Sequence, residues 1–384
     1  MSVLRGDCVE VMAGMEPDSV DAIVCDPPYG MGFMGKEWDR LDGAGFHAPK
    51  DEGRTFTNDS GHMFDNLKAL PQYGPARSMQ AFHHAWAAAA YRVAKPGAYL
   101  LAFGGTRTVH RMTCALEDAG WVIRDMLVWA YAQGFPKSRA SLKPAWEPIV
   151  MARKPGASRD LNIDAARIPS NGETIPRVTG SGIVVGGKTN GGYDRPWNHD
   201  ADAVARRQER ADAAIEAANT LGRWPANVIL TDPIFDGGWD GVVGGGESAG
   251  MGRVDTLRRG HTTGAGMGYG SSSPAEARDT GYDDQGGYSR YFMVPKAPTR
   301  ERKLSDGRRS PHPTQKPEAL IRHLVTLVTP PGGVVLDPFL GSGTLGVVCD
   351  GLGMKWLGIE REDEYADWSE DRIADGKAKW EVTA

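Results

Sequence analysis

The sequence predicts an α/β protein: a mostly parallel sheet with helices packed on it, opened by a large Gly-rich insertion. Three observations predict this. Short apolar runs stop abruptly at Asp-Pro or Gly turns and alternate with helical segments up to about residue 153. The alternation breaks down between about 155 and 290, where residues 180–290 hold 23 of the 50 glycines. It resumes after residue 310. A chain of 384 residues has room for one such core and one insertion. The expected division is 1–153 and 295–384 as two halves of the core, with 154–294 as the insert.

Each element has a local reason. Val20 to Cys25 is a buried strand stopped by Asp26-Pro27-Pro28. Residues 30–77 lack periodicity and read as a long functional loop. Ser78 is a helix cap before an Ala-rich stretch closed by Lys95-Pro96-Gly97. Ala98 to Phe103 is a strand, and Thr106 caps a helix that Gly120 ends. Trp121 to Trp129 and Glu147 to Ala152 are strands. Inside the insert, Ala201 to Asn219 is helical, and Ala226 to Leu230 is a short apolar piece. Beyond it come a helix at Glu318 to Val328, a strand at Gly333 to Leu336, and a helix to about Leu352. Lys355 to Ile359 is the next strand, ending at Glu360, and a last helix follows.

Composition excludes several classes. No apolar run approaches the ~18 residues of a membrane helix, and the start MSVLRGDCVEVM lacks a signal peptide's apolar region. A soluble cytoplasmic protein is expected. The cysteines Cys8, Cys25, Cys114 and Cys349 show no CxxC and no zinc spacing, so neither metal nor disulfide scaffold is expected. The net charge of −5 hides an asymmetry: residues 360–384 hold nine acids and four bases, which accounts for all of it. Two basic stretches, 136–159 and 290–309, carry six and seven Lys/Arg and keep a polyanion partner in view.

Two glycine motifs need separate judgement. Gly182 to Thr189 fits a P-loop by letter, but no strand precedes it and nothing after it can start a helix. Gly341-Ser342-Gly343-Thr344-Leu345-Gly346 has the right context, a strand before and a helix after. Glu360 ends the next strand, where an acid meets ribose hydroxyls in nucleoside-cofactor folds. The Asp337-Pro338-Phe339 before the loop puts a carboxylate at the strand end, where a cationic group can be met. S-adenosylmethionine (SAM) offers an ammonium and a sulfonium and no pyrophosphate.

Asp26-Pro27-Pro28-Tyr29 suits methyl transfer to an exocyclic amino group on an aromatic ring. The lone pair of such a nitrogen is delocalised, so it is a poor nucleophile. Acceptors placed against its two N–H bonds draw it toward sp³ character and aim the lone pair. Asp26 supplies a carboxylate oxygen, Pro27 a carbonyl whose direction two prolines fix, and Tyr29 a face for stacking. The bland alternative is a simple strand-ending turn.

Together these motifs resemble the beta class of SAM-dependent DNA amino-methyltransferases, acting on adenine N6 or cytosine N4. The catalytic motif comes first, a recognition insert next and the SAM motif last. The resemblance covers about 1–153 and 295–375. It implies a Rossmann-like seven-stranded methyltransferase sheet, circularly permuted, with 154–294 as target-recognition domain. It implies Asp26, Pro27 and Tyr29 as catalytic residues. Cofactor residues would be Asp7 at a strand end, Thr314 and Lys316 of His312-Pro313-Thr314-Gln315-Lys316-Pro317, then Asp337, Phe339, Gly341, Gly343, Thr344 and Glu360. Trp129 or Tyr131 would stack on the flipped base, and Lys137 and Arg139 would reach phosphates. SAM and double-stranded DNA are the implied cofactor and partner. The class is often dimeric, which keeps a homodimer in view.

Asp at the first position of Asp-Pro-Pro-Tyr goes more often with adenine in this class, which favours N6; cytosine N4 is the alternative. An NAD-linked dehydrogenase would explain the glycine loop but not Asp26 to Tyr29. A C5-cytosine methyltransferase needs a Pro-Cys nucleophile, and no cysteine here follows proline. Protein-glutamine and RNA amino-methyltransferases usually carry the SAM loop first. A DNA-binding module without catalysis would account for the basic stretches but not for both motifs.

Overall fold

The computed structural model describes residues 1–29, 74–131, 142, 144–157, 159–169, 200–230, 299–312 and 314–383. Its elements run β1 (Ser2–Arg5), α1 (Cys8–Gly14), β2 (Val20–Cys25), α2 (Gly74–Val93), β3 (Ala94–Phe103), α3 (Val109–Asp118), β4 (Val122–Ala130) and β5 (Trp146–Arg153). They continue with α4 (Ala201–Leu221), β6 (Val228–Leu230), α5 (Glu318–Val328), β7 (Val334–Asp337), α6 (Thr344–Gly351), β8 (Lys355–Glu360) and α7 (Asp363–Thr383). The chain divides into two compact units, one of residues 1–166, 225–232 and 293–384, the other of 167–224 and 233–292.

The first unit is an αβα sandwich. Its sheet has eight strands in the order β1-β8-β7-β2-β3-β5-β4-β6. All neighbours run parallel except β5, which runs against β3 and β4. The sheet gains one strand over the seven expected: Val228–Leu230, read as part of the insert, pairs with Val128–Ala130. Every residue of β2 is buried, as a central strand covered on both faces requires. Ala22 and Val24 join Leu101, Phe103 and Ile149 under α5 and α6. Ile23 and Cys25 face the other way, with Leu100 and Leu336, against α1, α2 and α3. Asp21 is the polar exception. Its carboxylate holds Lys95 at 2.9 Å, Arg159 at 3.2 Å and the Val334 N–H at 3.0 Å, so it ties β2 to β3 and β7.

Helix starts differ by a few residues from the sequence expectation. The helix assigned to Ser78 begins at Gly74, and the one assigned to Thr106 begins at Val109, with Thr108 before it. In the second unit α4 is capped by Asp200, whose Oδ1 accepts from the N–H groups of Asp202 and Ala203 at 3.0 and 3.1 Å. Ile168 and Arg223 close this unit's described part with an antiparallel bridge. The P-loop-like segment 182–189 and most of the 30–77 loop lie outside the described residues. Among the described residues, no helix is long and apolar enough to cross a membrane.

The topology sets the site. From β7 the chain passes through α6 to β8 on one side; from β2 it passes through α2 to β3 on the other. Strands β7 and β2 are neighbours. Their carboxyl ends therefore flank a switch point, where open α/β sheets bind ligands.

Candidate active site

Asp26 follows the last residue of β2 and enters a closed ring of polar contacts. The Tyr29 hydroxyl lies 2.9 Å from Asp26 Oδ1 and 3.0 Å from Glu147 Oε2. The hydroxyl has one proton, so it donates to only one of them at a time. Lys316, in the turn before α5, is buried and sends its ammonium into the same ring. Its Nζ is 2.8 Å from Asp26 Oδ2, 3.2 Å from Glu147 Oε2 and 3.3 Å from Tyr29 Oη. Burial works against this cation, yet the two carboxylates hold the ammonium above its ordinary value. Burial and the same two carboxylates push the Tyr29 phenol well above its usual range. Both stay protonated at neutral pH.

Aromatic rings wall the cluster. Lys316 Nζ stands 4.8 Å from the Phe103 ring centre, 5.4 Å from Trp129 and 5.6 Å from Tyr29. Trp129 meets Phe103 edge-on at 6.0 Å and Tyr131 at 5.3 Å. The Tyr131 hydroxyl lies 3.4 Å from Glu147 Oε1, and burial with that carboxylate raises its pKa to about 12. One ammonium faces two carboxylates, which leaves one negative charge in a half-apolar recess.

The second half of the site grows from β7. Asp337 ends the strand, and its Oδ1 accepts the Phe339 N–H at 2.9 Å. Burial pushes its carboxyl up to about 8; the Phe339 N–H opposes this, while the Asp26 and Glu360 charges add to it. Among the described residues, no ion pair reaches it. Glu360, at the end of β8, accepts the Gly341 N–H at 2.7 Å and the Glu362 N–H at 2.9 Å. Burial raises its pKa as well.

The loop between β7 and α6 turns through left-handed glycines, Gly341 at φ 51° and Gly343 at φ 77°. A Cβ on Gly341 would stand 2.9 Å from His312 Nε2, and one on Gly343 would stand 2.9 Å from Ser369 Cβ. Burial, with the Lys316 charge nearby, lowers His312 to about 4, so a neutral ring closes over the turn. Arg372 of α7 braces the loop, donating to Ser342 O at 3.0 Å and to Thr344 Oγ1 at 2.8 Å while pairing with Glu318 at 2.7 Å. Thr344 Oγ1 donates in turn to Lys316 O at 3.3 Å, which joins the two motifs. Phe339 packs edge-on against Trp86 at 5.6 Å.

Most of the residues singled out from sequence thus fall in two groups at the carboxyl ends of the central strands. Asp26, Tyr29, Lys316, Trp129 and Tyr131 share the aromatic recess; Asp337, Phe339, Gly341, Gly343, Thr344 and Glu360 form the loop side. Lys316 was expected on the cofactor side, and its ammonium lies on Asp26. Pro27 is buried and Thr314 half-buried. Asp7 caps α1, accepting from the Val9 and Glu10 N–H groups at 2.9 and 3.4 Å. Lys137 and Arg139 lie outside the described residues. Sequence reasoning missed Glu147, Phe103 and Arg372. A lone acid in the apolar run Trp146 to Ala152 was a usable signal for Glu147; Phe103 and Arg372 had none.

The family of N6/N4 DNA methylases matches residues 20–371. The type II methyltransferase M.HpaI of Haemophilus parainfluenzae is 23% identical over 372 residues, which span 97% of this chain and 73% of that protein. M.HinfI of Haemophilus influenzae is 42% identical over 78 residues, 20% of this chain and 22% of that one. The solved PvuII DNA methyltransferase, cytosine-N4-specific, superposes with a TM-score of 0.48 at 13% identity, over 99% of this chain and 92% of that one. The two motif strands, side by side at the switch point, thus belong to a member of the N6/N4 DNA methylase family, whose methyl donor is S-adenosyl-L-methionine.

Proposed function

We propose that this chain moves the methyl group of SAM to the exocyclic N6 of an adenine flipped out of double-stranded DNA, at a specific site. The observation that carries the reading is Asp26 at the end of β2, paired with a Lys316 ammonium that stands among the Tyr29, Phe103 and Trp129 rings, with β7 and its Asp337 loop alongside. Family membership supports the reaction, and Asp at the head of Asp26-Pro27-Pro28-Tyr29 supports adenine over cytosine N4.

The loop side suits the donor. Asp337 is a buried carboxyl without a cationic partner among the described residues, and a cation beside it would favour its ionised form. Asp337, Phe339, Gly341, Gly343, Thr344 and Glu360 would hold SAM, with Asp7 and Thr314 at the margins. When bound, SAM supplies an electrophilic methyl group on a sulfonium. Glu360 is a strand-end acid of the kind that receives ribose hydroxyls.

The recess performs the orientation. Asp26 and the Pro27 carbonyl accept the two N–H bonds of the target amine and aim its lone pair away from the ring plane. Tyr29, with Trp129 or Tyr131, offers the flat faces on which an extruded base stacks. The N–CH₃ bond would form as the S–CH₃ bond breaks and leaves a neutral thioether, and the nitrogen would shed one proton toward the Asp26 carboxylate. The basic residues Lys137 and Arg139 would contact phosphates, and the insert would read the sequence.

Asp26→Ala tests the reading. Methyl transfer to duplex DNA should fall at least a hundredfold, while calorimetry shows SAM affinity within about threefold of the parent. A variant that keeps more than a tenth of the rate, about 1.4 kcal/mol of barrier, would overturn the role of Asp26.

A further inference from the structure

Glu147 is used by neither motif, yet it sits at the centre of the recess. Each oxygen of Asp26 faces one partner, Oδ1 the Tyr29 hydroxyl at 2.9 Å and Oδ2 the Lys316 ammonium at 2.8 Å. Each oxygen keeps a second lone pair, but a target amine would share a carboxylate whose charge is already drawn on by a cation, so Asp26 accepts its N–H more strongly once the ammonium leaves. Glu147 Oε2 lies 3.2 Å from the same ammonium and 3.0 Å from the same hydroxyl. It therefore offers a second seat to each group without any main-chain movement.

We propose that Glu147 is a positioning residue that draws Lys316 and the Tyr29 proton off Asp26 when the base enters. The carboxylate of Asp26 is then free to accept the target N–H. The idea rests on the reading of Asp26 given above. It explains why the recess holds two carboxylates for one ammonium: with Lys316 seated on Glu147, the remaining charge belongs to Asp26 and faces the amine. The exchange costs little, because the ammonium is never left without a carboxylate in a buried place. It also gives a physical reason for Lys316 to sit among three rings, since a cation over ring faces can shift a short way and keep its attraction.

The test is a mutant cycle on the full chain, read as the single-turnover rate of methyl transfer to duplex DNA at saturating SAM. Glu147→Gln should slow the step at least tenfold and leave the SAM KM within about twofold; Glu147→Asp should recover part of the loss. Lys316→Met should remain measurably active, and adding Glu147→Gln to it should cost less than threefold, because Glu147 acts mainly through the ammonium. Three results overturn the proposal: a Glu147→Gln rate within twofold of the parent, the same tenfold loss in the Lys316→Met background, or a Lys316→Met chain without turnover. Should Glu147→Gln fail to fold, Glu147→Asp in the two backgrounds decides in the same way. Asp26→Ala, run alongside, separates the layers. If it stays active, the reading of Asp26 fails; if it is inactive while Glu147→Gln is normal, only the exchange fails.

Discussion

A carboxyl group that is buried without a cation is an unfinished interaction, and among the described residues Asp337 is such a group. Its pKa of about 8, against an ordinary 3.8, means that the cofactor-free chain holds this proton at pH 7. Binding of a cation beside it favours the carboxylate, so the proton should be released. Calorimetry of SAM binding in two buffers of different ionisation enthalpy should show close to one proton released at pH 7. Affinity should strengthen as pH rises toward 8 and then level off. Asp337→Asn should bind more weakly and release none; an unchanged pH profile in that variant would contradict the assignment. The folding sign is opposite. Between about 3.8 and 8 the folded chain binds a proton that the unfolded chain has lost, so the stability of the cofactor-free protein falls as pH rises through that window.

At the scale of elements, the turn into α6 explains itself only when its neighbours are counted. Gly343 is left-handed, and the Cβ it lacks would press on Ser369 of α7. The glycine thus serves helix packing as well as the proposed approach of the cofactor. Gly343→Ala should lower stability by about 2 kcal/mol, from the left-handed φ and the contact together, and weaken SAM binding at least tenfold. Thermal unfolding and calorimetry check both. Adding Ser369→Gly should recover little of the stability, because Ser369 Cα and O, at 3.0 and 3.1 Å from the added Cβ, stay in place; full recovery would show that neither the backbone contact nor the φ strain is the cause. The loop, its two strands and Glu360 were legible because each lies within one stretch of chain, with turn residues that have a local meaning. Glu147 was not legible as a site residue. It reaches the Tyr29 hydroxyl and the Lys316 ammonium only because β5 is inserted antiparallel beside β3, and no local pattern announces which distant strands become neighbours. Arg372 escaped for the same reason: its role is set by Ser342, Thr344 and Glu318, far along the chain.

For the whole molecule, the alternation of strands and helices was enough to foresee a mostly parallel sheet and the order of its motifs. The eighth strand was not foreseen, because three residues of β6 inside a Gly-rich stretch carry no periodic signal; its pairing with β4 supplies what the sequence lacks. Residues 225–232 accordingly group with the first unit, while 167–224 and 233–292 form the second. The permuted order also explains the architecture: a chain that completes the catalytic half first can extend a second unit and still return to build β7 beside β2. The reaction proposed at the carboxyl ends of β2 and β7 is methylation of the exocyclic amine of adenine. It is tested most directly by incubating the protein with SAM and duplex DNA, digesting the DNA to nucleosides and identifying the methylated product by mass. N6-methyladenine as the sole new nucleoside is the predicted result; N4-methylcytosine, or no methylated base at all, would contradict it.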